Sequence, residues 1–383
     1  MRALLRRELR LLKQDNWQLA LISYIPLLGF MLLWWLFSAG LPRQLPVAVV
    51  DQDHSSVSRM LERSLDASPV NQVISFTSQS EAIAAMRQGD VFAMVTFPYG
   101  LRRELLLGQQ PQIDIRYNGQ FLLVGKLLSS QLSLSLADGL RKLSRQSLIA
   151  HGVPAKLVAP HIEPMTTQTT ALFNRNTNYV GFLVPPILVA LWQLLAMLIF
   201  ANALNKELKP ERWQQSYQVG WWPIIAAKSL IYLPILLLHG QFMLALLYGY
   251  LGLPAAQLLW LLPVQLCLLL SVGLWVATIF FLLADSARVI SFCTALFAPA
   301  FAYMGITFPT AEMPELAKLW RLLMPSSHYM EAQISLVSYG NVALMWQQCA
   351  GMAGFLLLLL PAMLLAYKRR PQNVAAGVGE PTS

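Results

Sequence analysis

Charge is scarce in this chain. Of 383 residues only 12 % are Asp, Glu, Lys or Arg, against 56 % hydrophobic. With a mean hydropathy of +0.50, that balance argues against a soluble globular domain and for an integral membrane protein. Cysteine is sparse too. Cys267, Cys293 and Cys349 lie in or at the edge of apolar runs, no CxxC pair occurs and the histidines do not cluster, which argues against a disulfide or zinc framework. No nucleotide motif is legible. In the nearest approach, Gly119 to Lys126, five residues separate the glycines where a phosphate-binding loop has four, and Leu127 stands where Ser or Thr is needed to reach magnesium. The net charge of +9 does not read as nucleic-acid binding, because many basic residues sit at the ends of apolar runs, where membrane topology accounts for them.

What is present is a set of six apolar runs long enough to cross a bilayer: 17–40, 179–204, 221–250, 257–283, 289–308 and 342–367. The first follows Arg6 and Arg7 and ends in Ser38-Ala39-Gly40, but it is too long for an ordinary signal core and reads as an uncleaved anchor. The basic clusters of the short connections all fall on the side of both termini, which makes that side cytoplasmic. They lie in 1–16, in 205–220, which reads as a short charged loop pinned between two spans, at Arg288 and at Lys368-Arg369-Arg370. Residues 1–16 form an amphipathic interfacial helix, with Leu4, Leu5, Leu9, Leu11 and Leu12 opposite Arg2, Arg6, Arg7, Arg10 and Lys13. Glu8 falls among the leucines, so it either snorkels or meets a cationic partner. The tail 368–383 reads as disordered.

Residues 41–178 change character. Strands are predicted at Val47–Val50, Val73–Phe76, Val91–Phe97 and Gln112–Tyr117, and helices at Ser55–Asp66, Ser80–Gln88 and Gln120–Ala150. Alternation of this kind gives a small α/β domain. The fold class is therefore an α-helical polytopic membrane protein with six transmembrane helices and a small extracytoplasmic α/β domain between helices 1 and 2. Residues 309–341, divided by Pro314 and Pro325, are too polar to span and give two short helices dipping into the outer leaflet.

Several features together resemble a type-2 ABC transporter permease of the subgroup with a large periplasmic domain, as in bacterial drug-efflux permeases. They are the six spans, the interfacial helix, the large domain after span one, the charged inner segment and the short helices before span six. Locally the resemblance rests on Asn174-Arg175-Asn176, on Asn205-Lys206-Glu207 with Trp213, and on Phe308-Pro309, Met313-Pro314 and Pro325. The inner segment departs from the family, having Lys209-Pro210-Glu211-Arg212 where Gly-Thr usually follows.

The resemblance implies a permease in the bacterial inner membrane that carries no catalytic, cofactor or metal residues. ATP and magnesium would bind a separate cytoplasmic ATPase. The other partners would be a second permease copy or a related one, membrane lipid and a periplasmic adaptor protein. Contact with the ATPase falls to Glu207 with Lys206, Lys209, Glu211 and Arg212, assisted by Glu8. Pro325, His328 and Glu331 would form an extracellular gate. The substrate reads only as amphipathic or lipid-like, moved outward. Two other readings compete. A membrane enzyme could use His328 with Ser326, Ser327 and Glu331, or Asp51, Asp53 and His54, and a ligand sensor could use the α/β domain.

Overall fold

The computed structural model describes residues 1–38, 43–154 apart from 108, 110, 151 and 153, 179–250 and 258–368. The chain divides into two units, Met1–Gly40 with Ala171–Ser383, and Leu41–Thr170. The Asn174-Arg175-Asn176 signature, most of the Gly249–Pro254 turn and the tail beyond Lys368 lie outside the described residues.

Among the described residues of the first unit five helices are long and apolar enough to cross a membrane: Val184–Leu208, Trp221–Gly249, Leu262–Leu283, Ser286–Tyr303 and Val342–Lys368. A sixth span results if Asn16–Ile22 and Tyr24–Phe37, bent by 42° at their junction, are taken as one. The first span, expected over 17–40, is therefore broken, and the residues explain it. Pro26 has no N–H to offer the carbonyl of Ile22, and the hydroxyl of Ser23 donates back to Leu19 O at 2.6 Å. The fifth span begins earlier than expected, because Asp285 caps it by accepting from Arg288 N at 2.8 Å. Its regular helix stops at Phe297 and resumes at Ala300, around Pro299.

Val184–Asn205 is the hub. It is apolar all round, as a fully enclosed helix must be, and Val189, Trp192, Met197 and Ile199 are wholly buried. The stretch expected as a short loop over 205–220 is instead helical: a 3-10 turn at Lys206–Leu208, then a helix over Pro210–Val219. Its punctuation is regular. Pro210 occupies the first turn, where its missing N–H costs nothing, and Gly220 follows the last residue with φ +93°. Between spans five and six lie the helices Glu315–Leu322 and Pro325–Val337. The first buries no residue and the second buries most of its length.

The second unit is a four-stranded sheet in the order β2-β1-β3-β4, with β1 Leu45–Asp51, β2 Asn71–Phe76, β3 Ala93–Phe97 and β4 Asp114–Tyr117. β1 runs parallel to β2 and β3, and β4 is antiparallel to β3. Alternate residues of β1 serve two cores. Val47 and Val49 pack with Leu61, Leu65, Leu128 and Leu132 from helices Ser56–Asp66 and Leu122–Ala150. Ala48 and Val50 pack with Ala82 and Ala85 from helix Gln79–Gln88. That helix ends on Gly89 at φ +87°, as its sequence indicates.

Candidate functional site

The helix Arg2–Lys13 lies against the start of Trp221–Tyr250, and the 206–220 segment meets both at this corner. Four charged side chains meet at this corner. The ammonium of Lys228 is 2.7 Å from Glu8 Oε2 and 3.0 Å from Glu207 Oε1. Arg7 pairs with Glu207 Oε2. Two neutral donors complete the arrangement: Ser216 Oγ donates to Glu207 Oε2 at 2.8 Å and Tyr232 OH to Glu8 Oε1 at 2.9 Å. Glu207 is fully buried, Glu8 is 3 % exposed and Lys228 2 %. Two acids balance two bases, so the quartet adds no net charge to a low-dielectric site, and each member is tolerable there only while its partners stay.

A second polar cluster continues the first along the interface. Lys206 Nζ lies 2.9 Å from Asp15 Oδ2. Asn202 Nδ2 donates to Asp15 Oδ2 at 3.2 Å and to Gln18 Oε1 at 2.6 Å. Gln18 Nε2 donates to Ile199 O at 3.1 Å. Burial works to raise the carboxyl of Asp15, but the Gln18 N–H, the Lys206 ammonium and the Asn202 amide outweigh it and hold that carboxyl below the usual range. Opposite the charges, Trp213 of the segment stacks edge-on against Trp221 at 4.8 Å, and Trp221 against Phe281 at 5.0 Å. Ion pairs on one side and rings on the other fix the segment to spans two, three and four. The segment thus shares ion pairs with both the interfacial helix and span three.

The six residues expected at a partner contact divide in two. Lys209 and Glu211 are exposed and Arg212 is half-buried, so they can meet a soluble protein. Glu8 and Glu207 turn their carboxylates into this chain, toward Lys228 and Arg7, and present no surface. Lys206, half-buried, faces Asp15. Of the two alternatives open to Glu8, the structure takes the cationic partner. Arg7 and Lys228 were not anticipated as partners. Arg7 sits at the edge of the basic face, and Lys228 is a lone cation in a long apolar run.

The expected gate residues lie at the start of Pro325–Val337. Pro325 is buried, Glu331 pairs with Arg321, and His328 binds Gln348 Oε1 at 3.1 Å and Leu322 O at 3.2 Å. Both ring nitrogens of His328 are thus engaged away from Ser326 and Ser327, which removes the basis for a Ser-His nucleophile. Beneath them runs a buried polar seam that sequence periodicity did not reveal. Gln193 Oε1 accepts from Ser326 N at 2.9 Å, Gln241 donates to Gln265 at 2.9 Å, Gln265 to Tyr329 at 3.3 Å and Gln333 to Tyr248 at 2.6 Å. Neutral amides and phenols pair here between spans two, three, four and the Pro325–Val337 helix, while Gln193 Nε2, Gln333 Oε1 and the Ser326 and Ser327 hydroxyls are buried without a hydrogen-bond partner among the described residues.

In the α/β unit the acidic residues after β1 act on backbone. Asp51 Oδ1 accepts from Asp53 N and His54 N at 2.9 and 3.0 Å, and Asp53 accepts from Gly100 N and Arg102 N at 3.0 and 3.1 Å. They brace two loops rather than converge on a ligand, and no metal-holding group of His, Cys, Asp or Glu occurs among the described residues. Gly125 of the near-miss phosphate loop packs where a Cβ would lie 2.8 Å from the Tyr117 ring, so close packing accounts for it.

Comparison with known proteins then adds relatives to this geometry. A family model described as ABC-2 family transporter protein matches residues 17–365. The chain is also similar to the protein named ABC transporter G family member 20 from Dictyostelium discoideum, with 22 % identity over 357 residues, 90 % of this chain and 47 % of that protein. The chain spans about half the length of the curated relative it matches.

Proposed function

Because this chain belongs to the ABC-2 family of transporter proteins, whose model covers residues 17–365, we propose that it is the membrane permease of an ATP-driven exporter whose ATPase is a separate soluble subunit. The observation that carries this reading is the ion-paired corner. A segment with exposed Lys209 and Glu211 is tied through Glu207, Lys228 and Glu8 to span three and the interfacial helix. Such a segment can take up a push at its surface and pass it to two membrane elements at once. Two permease copies, or this chain and a related one, would enclose the pathway. The apolar spans suit an amphipathic or lipid-like substrate. The described spans contain few charges, and those of the corner neutralise one another, so nothing favours an ion or proton relay.

Docking is tested by reversing the three outward charges together, Lys209→Glu, Glu211→Lys and Arg212→Glu. The expected result is normal insertion and melting, with recovery of the copurifying ATPase reduced about tenfold, or about 1.4 kcal/mol. Undiminished recovery removes the segment from the interface. Orientation is tested by single cysteines at Ser80 and Gln218 in a cysteine-free background, both positions being exposed. In intact cells an impermeant thiol reagent should label Ser80→Cys and spare Gln218→Cys; the opposite pattern inverts the topology.

A further inference from the structure

Spans two, three, four and six leave between them a crevice of about 220 Å³. Its wall is apolar except for Lys228 and Ser229, and it includes Trp222 and Leu233 of span three, Leu270 and Gly273 of span four and Leu356 of span six. The ammonium of Lys228 is taken up by Glu8 and Glu207, at 2.7 and 3.0 Å, and both carboxylates are buried. The crevice therefore offers an apolar ligand contact surface without offering a headgroup a free charge.

Its size and depth indicate the occupant. The volume exceeds the ~150 Å³ apolar cavity that accommodates benzene. From Trp222 to Leu233 the wall extends about 16 Å along the helix at 1.5 Å per residue, roughly half of the ~30 Å hydrocarbon core. It starts at the membrane surface next to the 206–220 segment, so it is one leaflet deep. Leu270 and Leu356, 42 % and 54 % exposed, stand where it opens to the surface of the span bundle.

We propose that this crevice binds one acyl chain of a membrane phospholipid from the leaflet adjoining the 206–220 segment. This rests on the membrane character of the chain and not on the identity of any transported substrate. Since Lys228 belongs both to the crevice wall and to the ion-paired corner, the seated chain packs against the element that joins the interfacial helix to the segment.

The test uses the purified full-length chain in nanodiscs doped with a phosphatidylethanolamine that carries a diazirine midway along one acyl chain. After irradiation, mass spectrometry should find adducts on peptides covering 222–233 and 269–277, about fivefold above those at Leu32, Trp35 and Leu36, an exposed apolar surface. Gly273→Leu should abolish the excess, because the atoms nearest a Cβ there are Phe200 ring carbons at an ordinary 3.7–3.9 Å and the added side chain fills the void. Leu270→Trp, which narrows the mouth from an exposed position, should do the same and stands in if the first variant does not fold. Labelling no higher than at the control surface, an excess that survives both variants, or cross-links from the crevice to a second copy of the chain would each overturn the assignment.

Discussion

Replacing Glu207 with Lys is expected to collapse the corner built by the interfacial helix, the 206–220 segment and span three, and not merely to weaken a docking surface. The substitution removes the carboxylate that balances Arg7 and Lys228 and sets a third cation beside them, at a position with no solvent exposure. Loss of one member of a buried ion pair costs about 3–5 kcal/mol, and like-charge repulsion adds to it. The purified variant should lose its monodisperse elution peak and its cooperative melt by tryptophan fluorescence. Glu207→Gln and Lys228→Met should each be strongly destabilising. Combined, they should cost less than their sum by more than about 1 kcal/mol, because Arg7 and Glu8 then still balance in charge. A Glu207→Lys protein that stays monodisperse and melts within about 2 °C of the parent would mean that the carboxylate is not held in this corner.

The second large effect is expected at Gly240, in the middle of span three. A Cβ there would lie 2.7 Å from Trp192 Cζ2 and 2.8 Å from Gln265 Nε2. Neither neighbour can retreat cheaply. The Trp192 indole donates to Leu236 O at 3.1 Å and stacks on Tyr329 at 5.8 Å, while Gln265 is held by Gln241 and Tyr329. Gly240→Leu must therefore spread spans two, three and four or break the amide seam. Overpacking costs about 1–3 kcal/mol, and each buried amide left unpaired adds about 1–3 kcal/mol. The melting temperature should fall by about 5 °C or more, whereas Gly273→Ala, whose Cβ makes only ordinary contacts, should leave it unchanged. Equal melting of the two variants would show that the three spans do not approach this closely.

The sequence conveys the larger outline because period and punctuation are local. The strands around Val49, Ile74, Val95 and Ile115 and the helix stop at Gly89 follow from short apolar, β-branched runs and from a residue that tolerates positive φ. Pro210 and Gly220 were equally plain helix signals, but the charges between them suggested a loop. Glu8 was legible as an anomaly because its angle on the helix disagrees with its charge. Its partner was not: Lys228 lies 220 residues away, and no pattern within either helix connects them. The fate of Glu207 was hidden for the same reason. Flanking residues show that a carboxylate is near the membrane surface, but not that it turns toward Arg7 and Lys228. The seam of Gln193, Gln265 and Gln333 escapes any reading by hydropathy, since one amide per helical face hardly alters an apolar run.

The separation of Glu8 from Lys228 also has a temporal side. At roughly 5–20 residues per second, a ribosome takes about 11–44 s to traverse the 220 residues between them. For that interval the cation that pairs with Glu8 is still unmade, and Glu8 must remain hydrated at the lipid headgroups. Glu207 arrives late as well, with Arg7 already made, Ser216 following nine residues on and Lys228 only 21 residues later. The corner that ties the interfacial helix to span three thus cannot close until span three is made, and a nascent chain stalled before it holds an unsatisfied acid at the membrane surface.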